Sequence, residues 1–251
     1  MPASTNVAAL ILKRWDSGEA DRRIRILSRE RGRMDVTAKG ARKGGSRLAG
    51  ISEPLTFVRF EIAEGKFGGF VKQGQIESSF SGLRSDYLRL SLALSLAEIV
   101  AWIVQPEHGV EEIFDATVLG LKTIEIHPNP ITASVWTQLR LMQEEGISAT
   151  WDACIHDGSK LEFEKEWVSP MAGGVIKSGD LYEFRDRYLV DAKVLIGLAR
   201  TAEMDLPPTH LKKESEALQA LLPFWENHIG RELPAGRAVL DLIQESLVSG
   251  E

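Results

Sequence analysis

The run RRIRIL at residues 22–27 constrains this chain most, because only one backbone geometry makes sense of it. Ile24 and Ile26 alternate with Arg23 and Arg25, and a period of two puts isoleucines on one face of an extended strand and arginines on the other. The segments around it read the same way. Residues 7–13 are apolar, Gly32 marks a turn before residues 33–39, and residues 55–63 alternate with Phe57 opposite in phase to Val58. Residues 67–77 are looser, with glycines at Gly68, Gly69 and Gly74. Five short strands at this density predict a small Greek-key barrel of the OB type, which binds single strands along a basic groove.

Charge gives that barrel a partner. The whole chain of 251 residues has a formal net charge of −6, which argues against nucleic acid. Residues 1–80, however, carry 15 Lys and Arg against 9 Asp and Glu, while the remainder carries 15 against 27. Such asymmetry points to a nucleic-acid face on the first part. Its densest piece is KGARKGGSRLAG at residues 39–50, with no acidic residue. Glycine backbone lets a phosphate approach closely, and Lys39, Arg42, Lys43 and Arg47 supply the charge. Lys13, Arg14, Arg23, Arg25 and Arg33 extend the candidate DNA-binding set along the strands. Trp15 is expected in a strand-to-strand loop beside Lys13, Arg14 and Asp16, either stacking a base or packing on the barrel end.

Beyond residue 80 the apolar period becomes helical. Leu88, Leu92, Leu96, Ile99 and Ile103 mark an amphipathic helix over residues 85–104. Helices follow at 110–126, 131–145, 187–202, 211–229 and 235–248, with Pro106, Pro128 and Pro130 at the joins and Gly230 as a C-terminal cap. Trp102, Trp136 and Trp225 fall on apolar helix faces and read as core. Residues 151–182 lack a clear period. The expected class is therefore α+β, with a barrel domain at 1–80 and a mainly α-helical domain at 81–251. No run reaches the ~20 apolar residues of a membrane span. No positively charged leader precedes residue 7, and the one cysteine, Cys154, allows no internal disulfide. These features fit a reducing, cytoplasmic compartment.

In order, Gly18-Glu19-Ala20, the turn Glu30-Arg31-Gly32-Arg33, the run Ala38 to Arg42, Leu48 to Gly50 and Glu53-Pro54 closely resemble the RecO family of bacterial recombination mediators. Later, Ser169-Pro170 with Gly173-Gly174-Val175 resembles that family's zinc-binding insert, and HIGRELPAGR at 228–237 resembles a loosened form of its C-terminal motif. The resemblance implies an N-terminal OB barrel, a helical part and a zinc-ribbon-like insert at 151–182. It implies no bond-breaking catalysis. Implied partners are single- and double-stranded DNA, RecR, the single-strand-binding protein and, indirectly, RecA, in annealing strands and loading recombinase at gaps. A nucleoid-associated cytoplasmic location follows.

Departures from that pattern matter too. Relatives are expected to hold zinc with two Cys-x-x-Cys pairs. Aligned on Gly173-Gly174-Val175, this chain offers Cys154 and Asp157, then Lys177 and Asp180. A lysine is no ordinary zinc ligand, so the expectation is a degenerate insert with no metal and no cofactor. Its alternatives are a rescued site from Cys154, His156, Asp157 and Asp180, or a metal-free loop packed around Trp151, Phe163 and Trp167. In the helix at 131–145, Val135 and Trp136 stand where relatives place a basic pair that holds the tail of single-strand-binding protein. Arg140, Arg231 and Arg237 remain as candidate partner-binding residues.

Other chemistry is thin. There is no GxxxxGK[ST] phosphate loop. His108, His127, His156, His210 and His228 are scattered, and Glu111, Glu112, Glu144 and Glu145 read as solvated helix faces. Two other readings stay open: an OB-containing module that binds RNA or protein without annealing, and a hydrolase built around Cys154, His156 and Asp157.

Overall fold

The first strand, β1 (Ser4–Ser17), is long enough to serve two neighbours. Its first half pairs antiparallel with β4 (Phe57–Ala63), from Ser4↔Ala63 to Leu10↔Phe57. Its second half pairs antiparallel with β2 (Asp21–Ser28), ending at Ser17↔Asp21. Then β3 (Gly32–Ala38) pairs with β2, and β5 (Phe70–Ser78) pairs with β4. A single parallel pair, Thr37↔Phe70, joins β3 to β5 and closes a five-stranded barrel of order β1-β2-β3-β5-β4. The computed structural model describes residues 4–65, 69–106, 110–177 and 182–249. Phe67, Gly68, His108 and Asp180 lie outside the described residues.

Alternation holds where it was read. Ile24 and Ile26 are both 0% exposed and join Val7, Ala9, Ile11, Val36, Val58, Phe60, Ile62 and Val71 in the barrel interior. Each valine, isoleucine or phenylalanine among them contributes about 1.5–3 kcal/mol by leaving water. The register of β1 and β2 shifts by one residue between Ile11 and Lys13. Before that bulge Ile11 lies opposite Ile26, and after it Lys13 lies opposite Arg25. An extra residue reverses which side chains face outward. Outward-facing Leu10 and Leu27 lie opposite each other and are fully buried. The helix over Tyr87–Ile103 packs on both of their strands.

Two compact units divide the chain at residue 122. The first holds the barrel, two single-turn helices, α1 (Arg47–Gly50) and α2 (Ser81–Arg84), and α3 (Tyr87–Ile103). The helix α4 (Glu111–Ile126) begins in it, with Phe114 edge-on to Phe57 at 5.6 Å. Trp102, read as core, is only half-buried.

In the second unit, α5 (Pro130–Glu144) starts on Asn129, whose side chain accepts from the Thr132 amide at 3.0 Å, with proline at its first turn. Trp136 and Trp225 are core as expected. Their indoles donate to the Met204 carbonyl at 2.9 Å and to Gln138 Oε1 at 3.0 Å. Buried tryptophan needs such partners. Helices α6 (Ala192–Ala202), α7 (Glu214–Ile229, closed by Gly230) and α8 (Pro234–Ser249) complete it.

The segment without a clear period, expected as a degenerate zinc-ribbon-like insert, contains a small sheet. β6 (Thr150–Cys154), β7 (Lys165–Ser169), β8 (Gly174–Ile176) and β9 (Tyr188–Asp191) lie in the order β6-β8-β7-β9. Residues 188–191, assigned to a helix from the sequence, are therefore strand, and the helix begins at Ala192. Trp151 is buried and packs on Phe224 at 4.8 Å. Phe163 is 64% exposed and is not core, while Trp167 is half-buried under Arg187. The motif Gly173-Gly174-Val175 now has a physical cause. Gly174 has φ +155°, and a Cβ there would collide with the Thr150 carbonyl of the parallel neighbour β6. Gly174→Ala is expected to cost at least about 2 kcal/mol, from strain plus collision. Urea denaturation checks this, and an unchanged midpoint would refute it.

Candidate nucleic-acid interface

Beyond the bulge, register alone places side chains. Lys13 lies opposite Arg25, and Trp15 opposite Arg23, so all four share the outer face of the barrel. Trp15 thus sits inside the β1–β2 ladder and not in a loop. The guanidinium carbons of Arg23 and Arg25 stand 5.9 and 6.0 Å from its ring centre. Arg23 and Arg25 lie opposite Thr37 and Asp35 on β3.

The structure divides the nine basic residues read from sequence. Four are committed within the fold. Arg25 makes two 2.8 Å bonds to Asp35, and through them holds the Asp35 carboxyl below its ordinary value. Arg14 pairs with Glu53 at 3.1 Å. Arg33 donates to the Ala101 carbonyl at 3.0 Å. Arg42 donates to the Gly18 carbonyl at 2.7 Å and lies 3.5 Å from Asp16. The other five, Lys13, Arg23, Lys39, Lys43 and Arg47, carry no ion pair among the described residues. Lys13, Lys39, Lys43 and Arg47 are exposed, whereas Arg23 is half-buried with its Nε unpartnered.

Arg22, absent from the sequence-derived set, organises the loop. It donates to the Ala49 carbonyl, Ser52 and Glu53 at 3.1, 3.1 and 2.9 Å. Glu53 thereby joins Arg14 to Arg22 and anchors the far end of the basic segment. That segment is a succession of turns: the amides of Lys43 and Ser46 donate to the Gly40 and Lys43 carbonyls at 3.1 Å each. Gly40 has φ +68°, and its amide donates to Asp21 at 2.7 Å. Only glycine adopts this backbone without cost. The Arg42 amide bonds the Ala20 carbonyl at 2.9 Å. The basic segment is therefore fastened to the β1–β2 turn, at the same end of the barrel as Trp15 and Arg23. Nothing stands within 4 Å above Gly44, Gly45 or Gly50, so a phosphate has open access to the backbone there.

The partner-binding candidates are not brought together. Arg237 is held by Glu226 at 2.8 and 2.9 Å and by Glu232 at 3.2 Å, and the same Glu226 accepts the Leu233 amide. This pair fastens the α7–α8 turn. Arg231 is exposed in that turn, and Arg140 is half-buried on α5.

The small sheet does not fit a zinc ion. Cys154 is 3% exposed, and its thiol bonds the Asp157 carboxylate. Hydrogen bonds from Ser159, then from Cys154, hold the Asp157 carboxyl at about 2. The His156 ring stacks on Phe184 at 5.9 Å. Where the family resemblance implies a zinc ligand, the Lys177 ammonium donates to the Lys160 carbonyl at 3.0 Å and faces Glu166 at 3.7 Å. Glu166 is 3% exposed and accepts the amides of Glu162 and Phe163 at 2.6 and 3.0 Å. A cation is thus already present, as an ammonium. No group of three or more possible ligands gathers among the described residues.

Lys177→Met leaves the buried Glu166 carboxylate without that cation and is expected to cost about 1–3 kcal/mol. Thermal unfolding checks this; full recovery on adding zinc would contradict it. Family models for the recombination protein O N-terminal and C-terminal regions match residues 1–80 and 84–237. The DNA repair protein RecO of Heliobacterium modesticaldum is 32% identical over 201 residues, 78% of this chain and 73% of that protein. Its namesake in Anaeromyxobacter dehalogenans strain 2CP-C is 27% identical over 238 residues, 92% and 94% of the two chains. That of Bacillus subtilis is 27% identical over 158 residues, 61% and 60%. The two family models together cover most of the barrel, helices and small sheet described above, and the chain belongs to the RecO family.

Proposed function

We propose that the chain is a non-enzymatic mediator of recombinational DNA repair, which binds DNA on the barrel and anneals complementary single strands. The observation that carries this reading is the cluster of unneutralised cations on one end of the barrel: Lys13, Arg23, Lys39, Lys43 and Arg47. Two DNA strands repel each other, and a surface that replaces their counterions lets them approach. Phosphate contacts carry no sequence code, so any complementary pair is served. The relatives' name, DNA repair protein RecO, supports the same role.

The strand order β1-β2-β3-β5-β4, with β1 shared by both neighbours, supports reading the barrel as an OB-fold. The sheet at 150–191 is read as a zinc-ribbon-like element in which Lys177 has replaced the metal. Among the described residues no helix is long and apolar enough to cross a membrane. RecR, single-strand-binding protein and RecA are the partners this role calls for, in the cytoplasm and at the nucleoid. Against a hydrolase stand the burial of Cys154 and its bond to Asp157, a carboxylate too weakly basic at neutral pH to activate a thiol.

An annealing assay with two complementary labelled oligonucleotides tests this reading. Acceleration at low salt that fades toward physiological salt is expected. No acceleration by the folded protein would leave an RNA- or protein-binding module. Lys39→Gln, Lys43→Gln and Arg47→Gln together are expected to weaken single-strand binding for all sequences alike. They should lower the slope of log affinity against log salt by about 2, at ~0.7 per phosphate. An unchanged slope would exclude the basic segment from the contact.

A further inference from the structure

The basic segment is tied down at two places. At its near end the Arg42 amide bonds the Ala20 carbonyl at 2.9 Å, and the Gly40 amide bonds Asp21 at 2.7 Å. At its far end the tie is Glu53. Each of its carboxylate oxygens takes one arginine: Oε1 accepts from Arg22 at 2.9 Å and Oε2 from Arg14 at 3.1 Å. Arg22 in turn reaches the Ala49 carbonyl and Ser52. The amides of Ser52 and Glu53 close the last turns on the Ala49 and Gly50 carbonyls, both at 3.3 Å. Lys43 and Arg47, two of the cations without an ion pair, lie between these two ties, beside Gly44 and Gly45.

We propose that Glu53 is a positioning residue for DNA binding, an acid within the basic face whose loss weakens the hold on phosphate although it raises the positive charge. The inference rests on the DNA-binding reading above and deepens it.

Charge counting predicts the opposite. Removing one negative charge from a surface that meets a polyanion strengthens the long-range attraction, most of all at low salt. Three observations outweigh it. First, the Glu53 charge is already neutralised by two guanidinium groups, and the three side chains together remain positive. Second, the Arg22 side chain is only 14% exposed, so it has little freedom to turn to a phosphate once Glu53 is gone. Third, the stretch that Glu53 anchors contains Gly44 and Gly45, the residue type with the most conformational freedom to lose.

Glutamine at position 53 can accept from one arginine only, and its amide group would meet the other guanidinium donor to donor. The released residues must then be ordered again when DNA binds. Fixing the backbone of a single residue costs about 5- to 30-fold in affinity. One exposed charge returns less than this at physiological salt, where screening acts within about 8 Å.

The test is a double-mutant cycle on the full-length chain, read as affinity for a thymine homopolymer at low and at physiological salt. Glu53→Gln alone is expected to bind about 3- to 15-fold more weakly than wild type at physiological salt, the ordering cost less the charge gain. In a background of Lys43→Gln with Arg47→Gln the same change should weaken nothing, because the cations that Glu53 positions are gone. A purely structural role would cost the same in both backgrounds. Hydrogen exchange on the wild-type protein without DNA reads the tie itself, and holds even where Glu53→Gln does not fold. The amides of Ala49 and Ser52 should be protected before DNA is added. Unchanged or tighter binding by folded Glu53→Gln, equal losses in both backgrounds, or wild-type amides at Ala49 and Ser52 that exchange as freely as an unfolded chain would each overturn the positioning role. A wild-type protein that does not bind the homopolymer at either salt would overturn the DNA-binding reading and this role with it. Salt-dependent wild-type binding accompanied by any of the three results above sinks the role alone.

Discussion

The barrel depends on one extra residue. Up to Ile11, β1 sends alternate side chains into the core, and continuing in phase would bury Lys13 and Trp15 there. The one-residue register shift sends them outward instead, opposite Arg25 and Arg23. An uncompensated ammonium in the core would cost several kcal/mol. The shift thus makes the core possible and assembles the outer face in the same step. It also bends a strand of 14 residues so that its halves serve two different neighbours.

Charge on that face is sorted by geometry. Arg22 and Arg25 end on carboxylates placed by the same strands and loop, and their work is to fix the basic segment and the β2–β3 pair. Exposed ion pairs add little stability, but one that is bidentate and half-buried, such as Arg25 with Asp35, fixes orientation. The cations left unpaired surround this framework. A rigid surface loses little conformational freedom on meeting a phosphate backbone, so more of the interaction appears as affinity.

Strand alternation made the barrel legible in the sequence, since period two survives without knowledge of any partner strand. The bulge was not legible. Nothing near Leu12 marks an inserted residue, and Trp15 was read into a loop for that reason. Closure of the barrel was not legible either, because Thr37↔Phe70 joins residues far apart in sequence, which no local period reports. The split between structural and free arginines escaped notice on the same grounds, since Arg14 and Arg22 meet Glu53 only when the chain folds back.

The small sheet failed to show in the sequence because its strands run three to five residues, too short for a period. Yet its markers were visible as a motif without a mechanism. Gly174 is required by the approach of β6, a backbone constraint independent of any metal. The Lys177 ammonium reaches the buried Glu166 and the Lys160 carbonyl, and so cross-links the β6–β7 connection to β8. Gly174 therefore answers to chain packing and Lys177 to the charge of a buried carboxylate, two separate demands that a sequence motif shows side by side without telling apart.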